Sequence, residues 1–186
     1  MTPQNRTPQN RTPQNRTSQN RTPQNGRARA RIVVGLDDSS GGRAALRFAL
    51  LDAARRGADV EVVAAFDPPD RWPAVYGGPT PGDAAWTVAE LRQAVWSDTV
   101  RIADEVEAEL VDILAEVPSL TITAAAGPAG DVLLRAAADA DLLVVGHRGR
   151  GGLTSMLLGS VSLQAVLHAP CPVTVVRAAA LPAATG

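Results

Sequence analysis

Apolar residues are grouped into short runs and longer periodic segments that alternate from residue 30 onward. The short runs, each rich in valine, leucine, isoleucine or alanine, cover residues 32–36, 60–66, 120–125, 141–146 and 172–176. Runs of this length without polar alternation predict strands buried on both faces. Segments with apolar positions three and four residues apart predict helices over about residues 40–56, 85–116, 131–138 and 160–168.

This alternation of strand and helix predicts an α/β domain built on a parallel sheet. Because right-handed crossovers join parallel strands, the helices come to cover both faces, and the sheet is open and doubly wound. Residues 67–83 are rich in proline and glycine and predict a loop. Gly57 and Pro118 are typical of residues that end a helix.

The N-terminal residues 2–26 differ from the rest of the chain, because they repeat the unit TPQNR with small variations. They carry four arginines, no acidic residue and no apolar side chain apart from proline. Such a segment cannot bury enough surface to offset the entropy cost of ordering. We therefore predict a disordered tail over residues 1–26 and a folded domain over residues 27–186. The alternative is a basic arm for an anionic surface, although four spaced charges without aromatic residues bind weakly.

Composition excludes several classes of function. All 18 basic residues are arginine, which rules out a Walker A loop, a protein kinase and a pyridoxal-phosphate enzyme. One cysteine and two histidines argue against disulfides and multi-ligand zinc sites. Without the four arginines of the tail, the formal net charge falls from −1 to −5, and an acidic domain is a poor binder of nucleic acid.

No apolar run approaches the roughly 20 residues of a membrane span, and the polar N-terminus is unlike a secretory signal. We predict a cytoplasmic protein with no specific nucleic-acid partner and no membrane partner.

The most informative segment for chemistry is the glycine-rich loop after the fourth predicted strand, GHRGRGGLTSMLLGSVS. Its spaced glycines let backbone N–H groups approach an anion, and the last one begins a helix whose free N–H groups favour a phosphate. Arg148 and Arg150 add positive charge, and the hydroxyls of Ser160 and Ser162 can donate hydrogen bonds. His147 is a further candidate for phosphate contact. The alternative is a glycine-rich loop that binds no ligand.

The loop glycines follow the spacing G-x2-G-x9-G-S, which resembles the motif of the nucleotide-binding universal stress proteins. The matching residues are Gly146, Gly149, Gly159 and Ser160. The segment VVGLDDSSGGRAALRFAL at residues 33–50 resembles the start of that family's domain, and HAPCPVTVVR at residues 168–177 resembles its last strand. The resemblance covers residues 31–177.

The resemblance implies a five-stranded parallel sheet of order 3-2-1-4-5, in which the first and fourth strands are neighbours. Asp37 then meets Gly146 across one crevice, beside the ribose and the Mg²⁺ of a metal-bound nucleotide; a helix-cap role is the alternative for this carboxylate. The adenine is expected near the end of the second strand. The nucleotide-binding residues implied are Val34, Asp37, Ala65, Phe66, Gly146, His147, Arg148, Gly149, Arg150, Gly159, Ser160, Val161 and Ser162.

The same resemblance implies a protein that binds ATP, or a related adenine nucleotide, and acts in the stress response by changing conformation or partner. One alternative is an enzyme that hydrolyses ATP slowly or transfers a nucleotidyl group, although the loop offers no evident general base beyond His147 and Asp37. Another is a dimeric adaptor that binds no nucleotide. Residues 173–176 are at the sheet edge in this order, and the resemblance implies a homodimer in which two copies pair these strands antiparallel.

Overall fold

The structure, a computed structural model, describes residues 29–69, 86–112, 114, 119–149 and 158–178. Its strands are β1 (Arg31–Gly35), β2 (Asp59–Phe66), β3 (Leu120–Ala126), β4 (Leu142–Gly146) and β5 (Val173–Val176). Its helices are α1 (Ser40–Arg56), α2 (Val88–Leu110), α3 (Ala129–Ala136) and α4 (Ser160–His168), with a short 3-10 helix at Ala137–Asp139. The predicted tail, Arg150 and most of the predicted loop over residues 67–83 lie outside the described residues.

The strands form one parallel sheet in the order β3-β2-β1-β4-β5. This order confirms the predicted fold class. β1 is at the centre, where Val34 is paired with Val62 of β2 on one side and with Val144 of β4 on the other. The winding of the chain reverses between β1 and β4, and open α/β sheets form their ligand crevices at the carboxyl ends of such strands.

The sheet is covered on both faces because successive residues of each strand point to opposite sides. Val34 and its even-numbered neighbours pack against α1 and α2 in one core cluster. Val33, Val63 and Val145 pack against α3 and α4 in the other. Burial on both faces explains why the strands are apolar without alternation.

Helix α1 has conventional ends. Its N-cap is Ser39, whose side chain accepts a hydrogen bond from the Gly42 N–H at 3.0 Å. Its C-cap is Gly57, with a left-handed φ of 64° and an N–H that donates to the Ala53 carbonyl. Both signals are visible in the sequence, so the predicted end of this helix is confirmed.

Helices α2 and α3 differ from the predicted bounds. α2 begins at Val88 rather than at residue 85, because Thr87 and Glu90 form a capping box that fixes its start. It ends at Leu110, six residues before the predicted end. α3 begins two residues early, at Ala129, directly after Pro128. None of the helices in the described residues is both long and apolar enough to cross a membrane.

Candidate functional site

A crevice of about 610 Å³ opens at the carboxyl edge of the sheet, where β1 and β4 are neighbours. Its volume is in the range of small-molecule sites. The structure brings most of the predicted nucleotide-binding residues together along its walls. These are Asp37, Ala65, Gly146, Arg148, Gly149, Gly159, Ser160, Val161 and Ser162.

Three of the predicted residues are placed differently, and a fourth lies outside the described residues. Val34 is completely buried in the core cluster against α1 and α2. Phe66 is also buried, and because it follows Ala65 in the strand, its side chain points away from the face that Ala65 presents to the crevice. His147 does not line the crevice among the described residues, and Arg150 lies outside them. Val34 and Phe66 are therefore not among the residues that line the crevice.

Two glycines set how closely the loops around the crevice approach. A Cβ on Gly146 would lie 2.5 Å from the carbonyl carbon of Gly41, and a Cβ on Gly41 would lie 2.3 Å from the carbonyl oxygen of Arg148. Real Cβ atoms do not make such contacts, so the start of α1 touches the end of β4 backbone to backbone. The spacing motif pointed to Gly146 as a phosphate contact, and the structure adds that its missing side chain is needed for packing.

Asp37 connects the two loops that frame the crevice. The Ser39 hydroxyl donates a hydrogen bond to Oδ1 of this carboxylate, and a Cβ on Gly149 would lie 2.5 Å from its Oδ2. Asp37 and Gly146 thus line one crevice, as the strand order implied. The N-cap of α1 is Ser39 and not Asp37, which was the alternative role considered for this carboxylate. Asp37 instead accepts the hydrogen bond that orients the Ser39 hydroxyl.

The neighbouring acid Asp38 belongs to the outer surface. Its carboxylate is 2.9 Å from Nη2 of Arg43, and Nη1 of the same arginine is 2.7 Å from Glu105 of α2. This arginine and Arg101 hold the pKa of Glu105 below its ordinary value through hydrogen bonds. These exposed ion pairs tie α1 to α2 and leave Asp37 as the acid of this turn that faces the crevice.

Helix α4 begins at the crevice without a side-chain cap, unlike α1 and α2. Its N-cap is Gly159, and the Ser160 side chain that follows is exposed. The first N–H groups of a helix have no partner within the helix, and together with the helix dipole they favour an anion. Helix α3 also starts at the crevice without a side-chain cap, but its first turn carries the acidic Asp131, whereas the first turn of α4 has no acid. The start of α4 is therefore the part of the site best suited to a phosphate.

The loop before α4 is closed by hydrogen bonds to the backbone N–H and carbonyl of His147. The His147 carbonyl accepts from the Gly159 N–H at 2.8 Å and from the Ser162 hydroxyl at 3.1 Å. The His147 N–H donates to the Val176 carbonyl at 2.8 Å. Ser162 is 1% exposed, so its hydroxyl holds the loop, and Ser160 is the serine placed to meet a ligand.

Sequence reasoning placed Ala65 at the crevice but missed the rest of its apolar wall. The missed residues are Val63 of β2 and Ala129 and Leu133 of α3, with Asp67 just beyond the end of β2. The sequence signal that could have revealed this wall is the order of the elements and not a motif, because α3 starts at the same edge of the sheet at which β2 ends.

The described residues contain no cluster of three or more His, Cys, Asp or Glu side chains that could hold a metal ion.

Comparison with known proteins places this architecture in one family. Residues 29–177 match the model of the universal stress protein family. Universal stress protein Rv2005c of Mycobacterium tuberculosis is 36% identical over 156 residues, which cover 80% of this chain and 45% of the relative. A universal stress protein of Thermus aquaticus is 33% identical over 149 residues, which cover 78% of this chain and 97% of the relative. The chain thus spans about half the length of the mycobacterial relative and nearly all of the Thermus one.

Solved structures have the same fold. A universal stress protein family member from Burkholderia pseudomallei has a TM-score of 0.54 at 25% identity, with 79% of this chain and 95% of that chain covered. A universal stress protein in complex with cAMP has a TM-score of 0.53 at 23% identity, with 82% and 99% covered. With a family match over nearly the whole described domain and relatives above 30% identity, the chain belongs to the universal stress protein family.

Proposed function

We propose that this chain binds ATP or a related adenine nucleotide in the crevice and acts in the stress response through a nucleotide-dependent change of conformation or partner. The observation that carries the proposal is the uncapped start of α4, which lines the same crevice as Gly149 and Asp37. Free N–H groups at a helix start favour a phosphate. The family member solved with cAMP supports an adenine nucleotide as the class of ligand.

The order of the strands suggests how a nucleotide would lie. The start of α4 is on the β4 side of the crevice, Gly149 meets the Asp37 carboxylate after β1, and the apolar wall is above β2. Adjacent strands are about 4.8 Å apart, so the phosphate end and the apolar wall are separated by roughly 10 Å. A phosphate above β4, a ribose near Asp37 and a base against Ala65 would fit this arrangement.

Asp37 is the residue that would hold a magnesium ion on the nucleotide. A carboxylate beside a phosphate is repulsive unless a cation lies between them. Mg²⁺ prefers oxygen ligands and commonly binds one or two carboxylates together with substrate phosphates. Bound in this way, the ion would neutralise phosphate charge at the mouth of the crevice, and Asp37 would orient it through the carboxylate that Ser39 holds in place.

A homodimer through β5 is part of the proposal. β5 is at one edge of the sheet, and the carbonyls of Pro172 and Val176 accept hydrogen bonds from the β4 side. Because backbone groups alternate sides along a strand, the N–H and carbonyl of Val175 face outward, away from β4. Two copies could pair these outward groups antiparallel about an axis perpendicular to the sheet.

The exposed side of α4 supports the same dimer. Leu163, Val166 and Leu167 are 48%, 51% and 63% exposed, and their spacing places them on one flank of the helix. Gln164, on another flank, donates to Asp131 of α3 at 2.7 Å, so the apolar flank faces the β5 side. The two-fold axis would place this flank beside its own copy, which would cover it.

Native mass spectrometry of the freshly purified full chain tests the proposed function. We expect an adenine nucleotide to accompany the protein, and titrations with ATP, ADP, AMP and cAMP to give saturable binding. Phosphate release that is linear in time and is lost when the crevice is mutated would favour the ATPase instead. A protein that carries no nucleotide and binds none would favour the adaptor.

A cytoplasmic location belongs to the proposal, because the protein needs access to the nucleotide pool of the cell.

A further inference from the structure

We propose that Asp67 selects the base of the nucleotide by accepting a hydrogen bond from the exocyclic amine of adenine. This inference rests on the proposed nucleotide site and adds a specificity-determining side chain to it. Asp67 directly follows Phe66, the last residue of β2, and lines the crevice. No sequence motif pointed to it, because its place in the site depends on how β2 and α3 come together.

Asp67 is at the end of an apolar slot. Val63 of β2 and Leu133 of α3 are buried in one core cluster and close the bottom of the slot. Ala65 and Ala129, which are partly exposed, line the slot above them, and Asp67 continues the row of Ala65 along β2. A flat purine ring would be buried against these small side chains, but its polar edge must then find hydrogen-bond partners. The carboxylate of Asp67 is the charged group at this end of the slot.

The position of Asp67 above β2 separates it from the phosphate end of the site. The start of α4, on the β4 side of the crevice, is two strands away, at roughly 10 Å by the usual strand spacing. A carboxylate at that distance does not meet the phosphates directly, whereas it is well placed to meet a base. The crevice therefore has a carboxylate at the base end, Asp67, in addition to Asp37 nearer the phosphate end.

The chemistry of a carboxylate makes it selective. An ionised carboxylate only accepts hydrogen bonds. Adenine presents an amine at its 6-position, which donates, whereas hypoxanthine and guanine present a carbonyl oxygen there, which a carboxylate facing that position would repel. Hypoxanthine and guanine carry an N1–H donor on the neighbouring ring atom, so a carboxylate that faced N1 would instead favour ITP and GTP. An asparagine side chain has both an acceptor oxygen and a donor amide. Asp67→Asn should therefore lose the ability to distinguish these bases without a change in size.

The test compares the dissociation constants of ATP, ITP and GTP by isothermal titration calorimetry at fixed Mg²⁺. Wild-type protein is expected to bind ATP about tenfold or more tightly than ITP, the size of effect seen when a polar group faces the wrong partner. In Asp67→Asn the two affinities should come within about twofold of each other, by the same reasoning. Asp38→Asn is the matched control, since Asp38 pairs with Arg43 on the outer surface, and it should keep the wild-type ratio.

Three results would overturn the inference while leaving the proposed nucleotide site in place. They are an unchanged ITP-to-ATP ratio in folded Asp67→Asn, a wild-type protein that binds ITP as tightly as ATP, and a wild-type protein that prefers GTP. The last two need no variant, so they decide the matter even where Asp67→Asn fails to fold. A wild-type protein that binds none of the three nucleotides would instead refute the proposed function on which the inference rests.

Discussion

Gly41 at the start of α1 and Gly146 at the end of β4 touch through their backbones, so that a Cβ on Gly146 would come within 2.5 Å of the Gly41 carbonyl carbon. We expect Gly146→Ala to lower the free energy of unfolding by about 1–3 kcal/mol, because one loop must move away from the other. Urea denaturation measures this change. Gly159→Ala is the control, since a Cβ there has no neighbour nearer than 3.5 Å; equal destabilisation by both variants would contradict the packing role of Gly146.

Gly159→Val should abolish nucleotide binding and leave the fold intact. The φ of Gly159 is −72°, which any residue can adopt, so the effect comes from methyl groups that occupy the space of a phosphate oxygen. Gly149→Val should also abolish binding, but it would displace the Asp37 carboxylate as well. Circular dichroism and ATP titration check both variants.

Ala108→Val serves as the control for these variants, because it adds the same methyl groups at an exposed position of α2. It should bind ATP as the wild type does. Unchanged ATP affinity in folded Gly159→Val would remove the start of α4 from the site.

Asp37→Asn should weaken binding of ATP in the presence of Mg²⁺ more than binding of ATP in EDTA. The amide removes one charged ligand for the cation, and it also removes a charge that repels metal-free phosphate. Titrations in the two buffers give the two affinities. An equal loss in both would assign Asp37 to the ribose or to the support of Ser39 rather than to a metal.

Val175→Pro should convert the dimer to a monomer. Because the Val175 N–H faces away from β4, proline removes an outward donor and spares the hydrogen bonds inside the sheet. Leu167→Arg, on the exposed flank of α4, should weaken the dimer through the repulsion of two like charges across the axis. Sedimentation velocity at micromolar concentration measures the assembly. A monomeric wild type would refute the dimer without affecting the nucleotide site.

Cys171, the single cysteine of the chain, lies just before β5 and packs against the core cluster under α3 and α4. Its thiol should react slowly with iodoacetamide at neutral pH. Burial raises its pKa above the ordinary value, so little of the reactive thiolate forms in the folded protein. Since the unfolded chain ionises at lower pH, the stability that this thiol contributes should fall as pH rises above its ordinary pKa. Cys171→Ala should lack that part of the pH dependence. Alkylation as fast in the folded protein as in urea would contradict the effect of burial.

Much of the fold could be predicted because its signals are local. The bounds of α4, Ser160–His168, agree with the prediction to the residue, since glycine precedes it and a proline-rich segment follows. The end of α2 was predicted too late, because apolar periodicity continues past Leu110 although the helix does not. The strand order came from the family resemblance, as periodicity alone does not determine which strands are neighbours.

The candidate site was only partly predictable for the same reason. Gly149 and Gly159 belong to a motif with fixed spacing, so one segment reveals both. Leu133 and Asp67 belong to separate segments and line the same crevice only because α3 packs back over β2. The close approach of Gly41 to Gly146 is likewise a tertiary contact, which a pattern within one segment cannot encode.

The backbone of His147 donates through its N–H to the last residue of β5 and accepts through its carbonyl from the N-cap of α4. The two peptide groups that flank the Cα of His147 therefore link the proposed dimer edge to the proposed phosphate site. Thermodynamic reciprocity applies to any such shared group: the factor by which nucleotide strengthens self-association equals the factor by which self-association strengthens nucleotide binding. The protein concentration in the cell would then help to set its nucleotide affinity, so that a rise in expression would itself increase occupancy.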